Sequence, residues 1–383
     1  MKHLLFFLES LSGGGAEKVL ISLLRQLDRQ KYVITLVTLV DTGILKEDLD
    51  LGTIEYLSVI RPSSNPLVAL WNKMKYRLIY HCLPPRIVGK WILPQKHIDL
   101  YVAFTEGFAT KLLASAPGPK VAWVHIDLKV YPWTQDKRVF RNIQEEKSAY
   151  QRFDSVVCVS DSVEKSMILH YGLTNTRTIL NPINSAEIKA KAALDCEVKL
   201  PDNQFRIVSV GRLCHQKGFD RLIPLIGRLR DRCLDVSLYL IGEGDDRALL
   251  QKITERNHVE ALVHFLGYQK NPYPLMSQMD LFVCSSRAEG YSLAIAEALI
   301  LGLPVISMNC SGPDRLLGAG EYGALCDDYD DLYCEIEKAV TDRGYLNQLK
   351  EKARLRSDFF NLKATIRQIE DLFDNTICHP SAS

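Results

Sequence analysis

The chain has no run that approaches the roughly 20 consecutive apolar residues of a membrane-spanning helix, which excludes a spanning segment. Its apolar opening, residues 4–8, stops at Glu9, too soon for the core of a secretory signal. It also lacks C-x-x-C pairs and any regular cysteine spacing. The ten cysteines, some inside apolar runs as at Cys158 and Cys284, read as reduced, mostly buried thiols of the cytosol. Net charge is nearly absent: 47 Lys and Arg against 46 Asp and Glu leave +1, so no global field draws nucleic acid. No group of Asp, Glu, His or Cys has metal-site spacing, and Asp245-Asp246 and Asp327-Asp328 read as surface loops. One absence is local. Residues 56–98 contain no aspartate or glutamate, while Arg61, Lys73, Lys75, Arg77, Arg86, Lys90 and Lys96 interleave with Trp71, Tyr76, Tyr80 and Trp91. Bases with interfacial aromatics suit a helix lying on an anionic bilayer; a solvated basic face is the alternative.

What is present is an alternation of short apolar runs and helical periodicity. A length of 383 residues is long for one core and suggests two domains. Residues 4–8 read as a buried strand, Gly13-Gly14-Gly15 as a turn that lets backbone approach a ligand, and Ala16, Val19, Leu20, Leu23, Leu24 and Leu27 as one face of a helix. Strand-like runs recur at 33–40, 98–104, 120–124 and 155–160. A second series begins at 205–210 and continues at 236–241, 262–266, 281–284 and 304–307. Between the series lies a charged, alanine-rich stretch, 185–203, that reads as a linker. Two α/β series joined in this way imply two Rossmann-like domains with parallel sheets facing each other across a cleft.

The stretch around which the chain is organised runs from Ser285 to Ala298. The apolar run 281–284 precedes it; Ser285 and Ser286 open a polar loop; Gly290 gives a flexible point; Ser292 starts a helix with Leu293, Ala296, Leu299 and Ile300 at helical spacing. Glu289 therefore sits in the loop at a strand's C-terminal end, and Glu297 about two turns into the helix. Between them the helix's first N–H groups make an anion site. A ligand with a central diphosphate and hydroxyl-rich ends, such as a nucleotide sugar, has the matching anatomy. The ordinary alternative is two unrelated surface acids.

This stretch resembles the E-x7-E signature of family 4 glycosyltransferases, retaining enzymes with the GT-B fold. The resemblance extends through Gly13 to Glu17, Val210-Gly211-Arg212-Leu213, Gln216-Lys217-Gly218-Phe219-Asp220, Gly242-Glu243-Gly244 and Phe265-Leu266-Gly267, in the family's order over nearly the whole chain. It implies an acceptor-binding domain over 1–184, the linker 185–203, a nucleotide-sugar domain over 204–358, and a C-terminal helix in 359–383 that crosses back to the first domain.

The site follows residue by residue. Arg212 offers a planar fork and Lys217 a mobile charge for the donor diphosphate, joined by the backbone at Ser292 and Leu293 and, from the other domain, by Gly14 and Gly15. The resemblance gives the catalytic roles to Glu289, which holds donor-sugar hydroxyls, and to His125 beside the sugar. It places Glu297 on the ribose, backbone at Gly267-Tyr268 against the base, and Asp127 on the acceptor side or orienting His125. The expected reaction is transfer of a hexose, with retention, from a nucleotide diphosphate sugar to a hydroxyl of a glycan or lipid-linked glycan in cell-surface polysaccharide or lipopolysaccharide synthesis, with UDP favoured over GDP. No cofactor and no metal is expected, nor is nucleic acid a partner. The expected location is cytoplasmic, peripheral on the inner face of the cytoplasmic membrane through residues 56–98. A sugar-nucleotide epimerase of the same fold, a glycosidase, and a nucleotide-sugar-binding protein without turnover are the alternatives. Donor-only incubation separates the first. A glycosidase needs its carboxylates across a scissile bond, not with a phosphate site between them.

Overall fold

The computed structural model describes residues 1–196, 198, 200–201 and 204–380. The chain forms two compact units: residues 1–182 with 363–383, and residues 183–362. In the first unit the strands are β1 (Lys2–Leu8), β2 (Tyr32–Val40), β3 (Ile54–Ile60), β4 (Leu100–Ala103), β5 (Lys120–Val124), β6 (Ser155–Cys158) and β7 (Thr176–Thr178). They form one sheet in the order β3-β2-β1-β4-β5-β6-β7, with every pairing parallel. The second unit contains β8 (Phe205–Val210), β9 (Val236–Ile241), β10 (Val263–Gly267), β11 (Leu281–Cys284), β12 (Val305–Met308) and β13 (Ala324–Cys326), ordered β10-β9-β8-β11-β12-β13 and also parallel throughout.

Both sheets reverse winding direction beside their first strand, between β1 and β4 and between β8 and β11. At such a switch point the loops leaving the two strands diverge and open a crevice at the strands' C-terminal ends. Strands buried on both faces explain the continuous apolar runs of β1, β5 and β11.

The first unit's core is aromatic. Phe373 meets Phe6, Tyr32 and Trp123 edge-on at centroid distances of 6.1, 6.5 and 6.1 Å. Phe373 belongs to the helix Leu362–Cys378, whose Asp374 accepts bonds from Tyr32 Oη at 2.7 Å and Lys2 Nζ at 2.8 Å. Apolar and polar contacts together seat this helix in the first unit.

The stretch 185–203, expected as a linker, opens instead with the helix Ser185–Ala192 of the second unit. Asn184 caps it by accepting from the Glu187 N–H at 3.1 Å, and Ile188 is buried. A capped helix with a buried residue is folded structure. Residues 197, 199, 202 and 203 of that stretch lie outside the described residues. The cysteines are all free, but only Cys158, Cys284 and Cys326 are buried. They are the three on strands; Cys82, Cys233, Cys334 and Cys378 are exposed, so the expectation of mostly buried thiols is corrected. Among the described residues no helix is long and apolar enough to cross a membrane.

Candidate active site

In the second unit the loops after β8 and β11 are laced together. Ser285 Oγ donates to the Lys217 carbonyl at 2.9 Å, Gln216 Nε2 to the Ala288 carbonyl at 2.8 Å, and the Arg287 N–H to the Gln216 carbonyl at 2.8 Å. Arg287 grips Asp220 with both terminal nitrogens at 2.7 Å and also donates to the His215 carbonyl. Gly218 makes this approach feasible. Its φ is +69°, and a Cβ there would stand 2.0 Å from the Ser285 carbonyl oxygen.

The lacing delivers Lys217 to Glu289. Lys217 Nζ lies 2.5 Å from Glu289 Oε1, which also accepts from Ser286 Oγ at 2.7 Å. Burial alone would lower the Lys217 pKa, but the adjacent Glu289 carboxylate more than offsets it and the ammonium is held charged. Both bonds fall on Oε1, which leaves Glu289 Oε2 for another donor. Arg212, two residues past the end of β8, is exposed; its carbonyl accepts from the Cys214 N–H at 2.9 Å, but its guanidinium makes no hydrogen bond or ion pair with any described residue. Its guanidinium is free to bind.

After Glu289 the chain enters the helix Leu293–Ile300. Its N-cap, Ser292, makes no side-chain capping bond, and the first backbone–backbone bond of the turn is Ala296 N–H to the Ser292 carbonyl. The N–H groups of Leu293 and Ala294 therefore point out of the helix with its positive end. About one turn along, rather than two, Glu297 is buried and accepts from Tyr273 Oη at 3.0 Å. Tyr273 lies in the short helix Tyr273–Met276, and burial, the Glu297 carboxylate and the neighbouring Tyr268 raise its pKa well above the usual phenol range. Tyr268 follows β10 and is about two-fifths exposed, at 39%.

Arg212, Lys217, Tyr268, Glu289, Ser292, Leu293 and Glu297 thus all sit at C-terminal strand ends, or on the helix that follows one, within the second unit. Gly14, Gly15, His125 and Asp127 belong to the first unit. Gly14 is the uncapped N-terminus of the helix Gly15–Gln26. His125 follows β5; its Nε2 is 2.8 Å from the Phe104 carbonyl oxygen. A carbonyl only accepts, so Nε2 carries the proton and Nδ1 keeps its lone pair. Burial pushes the His125 pKa down to about 4, so the ring is neutral near pH 7. Asp127 makes no hydrogen bond to the His125 ring. Its Oδ1 accepts from the Lys129 N–H at 2.9 Å and from Ser166 Oγ at 2.7 Å, closing the turn after β5.

Three acids and phenols escaped the sequence reading. Glu106, buried after β4, accepts the backbone N–H groups of His125 and of Ile126, the latter at 3.0 Å. Burial raises its pKa to about 7, against the opposing pull of those N–H groups. Glu9, at the end of β1, accepts from Tyr80 Oη at 3.2 Å and from the Phe108 N–H at 3.4 Å, and burial raises its pKa. Tyr273 is the third. No motif marks them; their position after β1, β4 and β10 was the available signal. Among the described residues no three His, Cys, Asp or Glu side chains are grouped so as to hold a metal ion.

Residues 191–356 match the family model for glycosyl transferases group 1, and residues 13–187 match that for glycosyltransferase family 4. A lipopolysaccharide core biosynthesis glycosyltransferase, LpsE of Rhizobium meliloti, is 29% identical over 209 residues, 54% of this chain and 59% of that one. An N-acetylgalactosamine-N,N'-diacetylbacillosaminyl-diphospho-undecaprenol 4-alpha-N-acetylgalactosaminyltransferase of Campylobacter jejuni is 24% identical over 373 residues, 94% of this chain and 96% of that one. Among solved structures, Anabaena Alr3699/HepE in complex with UDP and glucose superposes with a TM-score of 0.74 at 21% identity, over 98% of this chain and 100% of that one. Two parallel α/β units with these neighbours define the GT-B fold. The chain belongs to glycosyltransferase family 4 and is a glycosyltransferase.

Proposed function

We propose that the chain transfers a hexose, with retention of configuration, from a nucleotide diphosphate sugar to a hydroxyl of a glycan or lipid-linked glycan in cell-surface polysaccharide synthesis. UDP is the favoured nucleotide. The observation that carries the reading is the run of groups in the second unit: free Arg212, the Lys217–Glu289 pair, the open N–H groups of Leu293 and Ala294, and buried Glu297. Their charge order is that of a nucleotide sugar: hydroxyls, phosphates, ribose. The Rhizobium and Campylobacter relatives, named for lipopolysaccharide core and diphospho-undecaprenol acceptors, and the UDP complex of the Anabaena protein agree with it.

Breaking the anomeric bond builds charge on the leaving diphosphate. Arg212, Lys217 and the helix N-terminus stabilise that charge, each preorganised donor being worth roughly 3 kcal/mol. Glu289 Oε2 holds donor-sugar hydroxyls, Glu297 the ribose and Tyr268 the base. Gly14 and Gly15 bring backbone N–H groups from the first unit, where Asp127 serves the acceptor side. His125, with its Nδ1 lone pair, accepts a sugar hydroxyl. The acceptor attacks on the face the diphosphate leaves, and a leaving phosphate oxygen takes its proton. No metal is used, and the enzyme works peripherally at the inner face of the cytoplasmic membrane, in contact through residues 56–98.

Thermal-shift titration against UDP- and GDP-hexoses tests the donor class, followed by radiolabel transfer from the best binder into a membrane extract. Stabilisation by a nucleotide hexose, with label entering glycan, supports the reading. Conversion of the donor to its epimer without transfer, or binding without turnover, would replace it with the epimerase or the binding protein.

A further inference from the structure

Residues 66–92 fold as two short helices, Pro66–Arg77 and Pro85–Ile92, joined through a π-helical turn at Leu78–Cys82. The first buries none of its residues. Leu67, Leu70, Trp71, Met74 and Leu78 recur at i, i+3, i+4, i+7 and i+11, a single stripe along that helix and into the turn. In a helix that covers a core this stripe is hidden. Here it faces outward: Leu67 is 77% exposed, Trp71 60% and Met74 56%. Ile87 and Trp91 of the second helix are exposed as well.

The opposite side holds the helix to the domain. Asn72 Nδ2 donates to the Arg61 carbonyl at 2.7 Å, and the Tyr76 ring stacks on Tyr80 at 5.1 Å. Tyr80 in turn stacks on Phe108 at 4.7 Å and donates to Glu9 at the end of β1. The outward stripe is therefore fixed in orientation, with its anchor at the first sheet's switch point. On the helix, exposed Arg77 falls on one flank of the stripe; Lys75 falls on the other and is tied to the domain, its Nζ donating to the Val59 carbonyl at 2.7 Å. Residues 56–98 carry seven Lys and Arg and no acid.

We propose that this stripe inserts into the acyl-chain boundary of an anionic bilayer, with Trp71 as the deepest aromatic and the exposed bases of the segment on the lipid headgroups. The inference rests on the membrane-face reading above and adds the surface, its orientation and its depth. The charge argues for the occupant. Lys96 pairs with Glu55, but the other six bases have no acid within the segment; a second copy would set like charge against like, whereas an anionic leaflet supplies the missing sign. A purely electrostatic patch does not need five exposed apolar side chains in register; an interfacial helix does.

The test uses the full-length protein with vesicles of phosphatidylcholine alone and of phosphatidylcholine mixed with phosphatidylglycerol. Sedimentation is measured at low and high salt, and tryptophan emission with acyl-brominated lipid as quencher. Insertion predicts binding to the anionic vesicles, a bound fraction that survives high salt, and a blue-shifted, quenched emission that Trp71→Phe removes. The triple variant Leu67→Ser, Trp71→Ser, Met74→Ser should lower partitioning by roughly a hundredfold or more while keeping its melting temperature, because the three side chains contact solvent. Salt that strips wild type completely, with no quenching, would overturn insertion and leave surface contact standing. Failure of wild type to bind either vesicle overturns both readings. Self-association without lipid that the triple variant abolishes would make a second copy the occupant.

Discussion

Lys217 Nζ sits 2.5 Å from Glu289 Oε1, so the cation assigned to the donor phosphate and the carboxylate assigned to the donor sugar neutralise each other. On that assignment a diphosphate arriving at Lys217 would compete for the ammonium, while sugar hydroxyls would bind the Oε2 that the ion pair leaves open. The two ends of the donor are in this way linked through one ion pair. Removing one partner leaves the other as an uncompensated, partly buried charge.

Glu289→Gln should therefore lower kcat by about 10²–10³ without weakening UDP, since UDP lacks the sugar and Lys217 loses its competing carboxylate. Lys217→Ala should weaken UDP itself. Turnover and isothermal titration with UDP separate the two. Equal loss of UDP affinity in both variants would contradict the division of roles.

Glu297 and Tyr273 make the corresponding pair at the nucleotide end. Glu297→Gln should weaken UDP about 10–100-fold, the usual range for a charged hydrogen bond lost. Tyr273→Phe removes only the hydroxyl that orients the carboxylate at 3.0 Å, and should weaken UDP about 3–10-fold with kcat nearly unchanged. Titration with UDP checks both; a Tyr273→Phe protein that binds UDP as wild type would leave that hydroxyl a structural role.

The second unit was legible because its chemistry is written consecutively. Gly211 to Asp220 and Ser285 to Glu297 each leave a strand end, and neighbouring strands β8 and β11 set them side by side. What escaped depended on long-range packing. Glu106 was invisible because its partners are backbone N–H groups 19 and 20 positions away. Asp220, read only as part of a motif, proves to be the anchor of Arg287 across 67 positions. Strands β3 and β13 were missed: β3 interrupts its apolar residues with Glu55 and Ser58, and its last five residues open the acid-free stretch taken as surface, while β13 has only three residues. The basic segment was legible as composition only; that its apolar stripe faces outward required the coordinates.

Chelation tests the expected absence of a metal. With Arg212, Lys217 and the helix N-terminus carrying the leaving charge, transfer should continue after exhaustive EDTA at an unchanged rate. The assay is label transfer before and after dialysis against chelator. Complete loss, restored by Mg²⁺ or Mn²⁺, would require a cation on the diphosphate.

His125 and Glu106 titrate against each other in sign. The His125 pKa falls from 6.5 to about 4 on folding, so the unfolded chain binds the extra proton and stability is lost as pH drops from 6.5 toward 4. The Glu106 pKa rises from 4.5 to about 7, so the folded chain binds the extra proton and stability is lost as pH climbs from 4.5 toward 7. Each shift corresponds to roughly 3 kcal/mol at its limit, and in the overlap the two slopes largely cancel. Wild type should therefore show a flat contribution from this pair between pH 4.5 and 6.5. Glu106→Gln keeps the size but not the titration, and should unmask a steep loss of stability toward acid. His125→Asn should do the reverse, so that stability declines as pH rises toward 7. Urea midpoints of the three proteins across that range read the slopes directly. Parallel curves for wild type and both variants would mean that neither group titrates where its burial places it, and the neutral His125 assigned to the donor sugar would lose its physical basis.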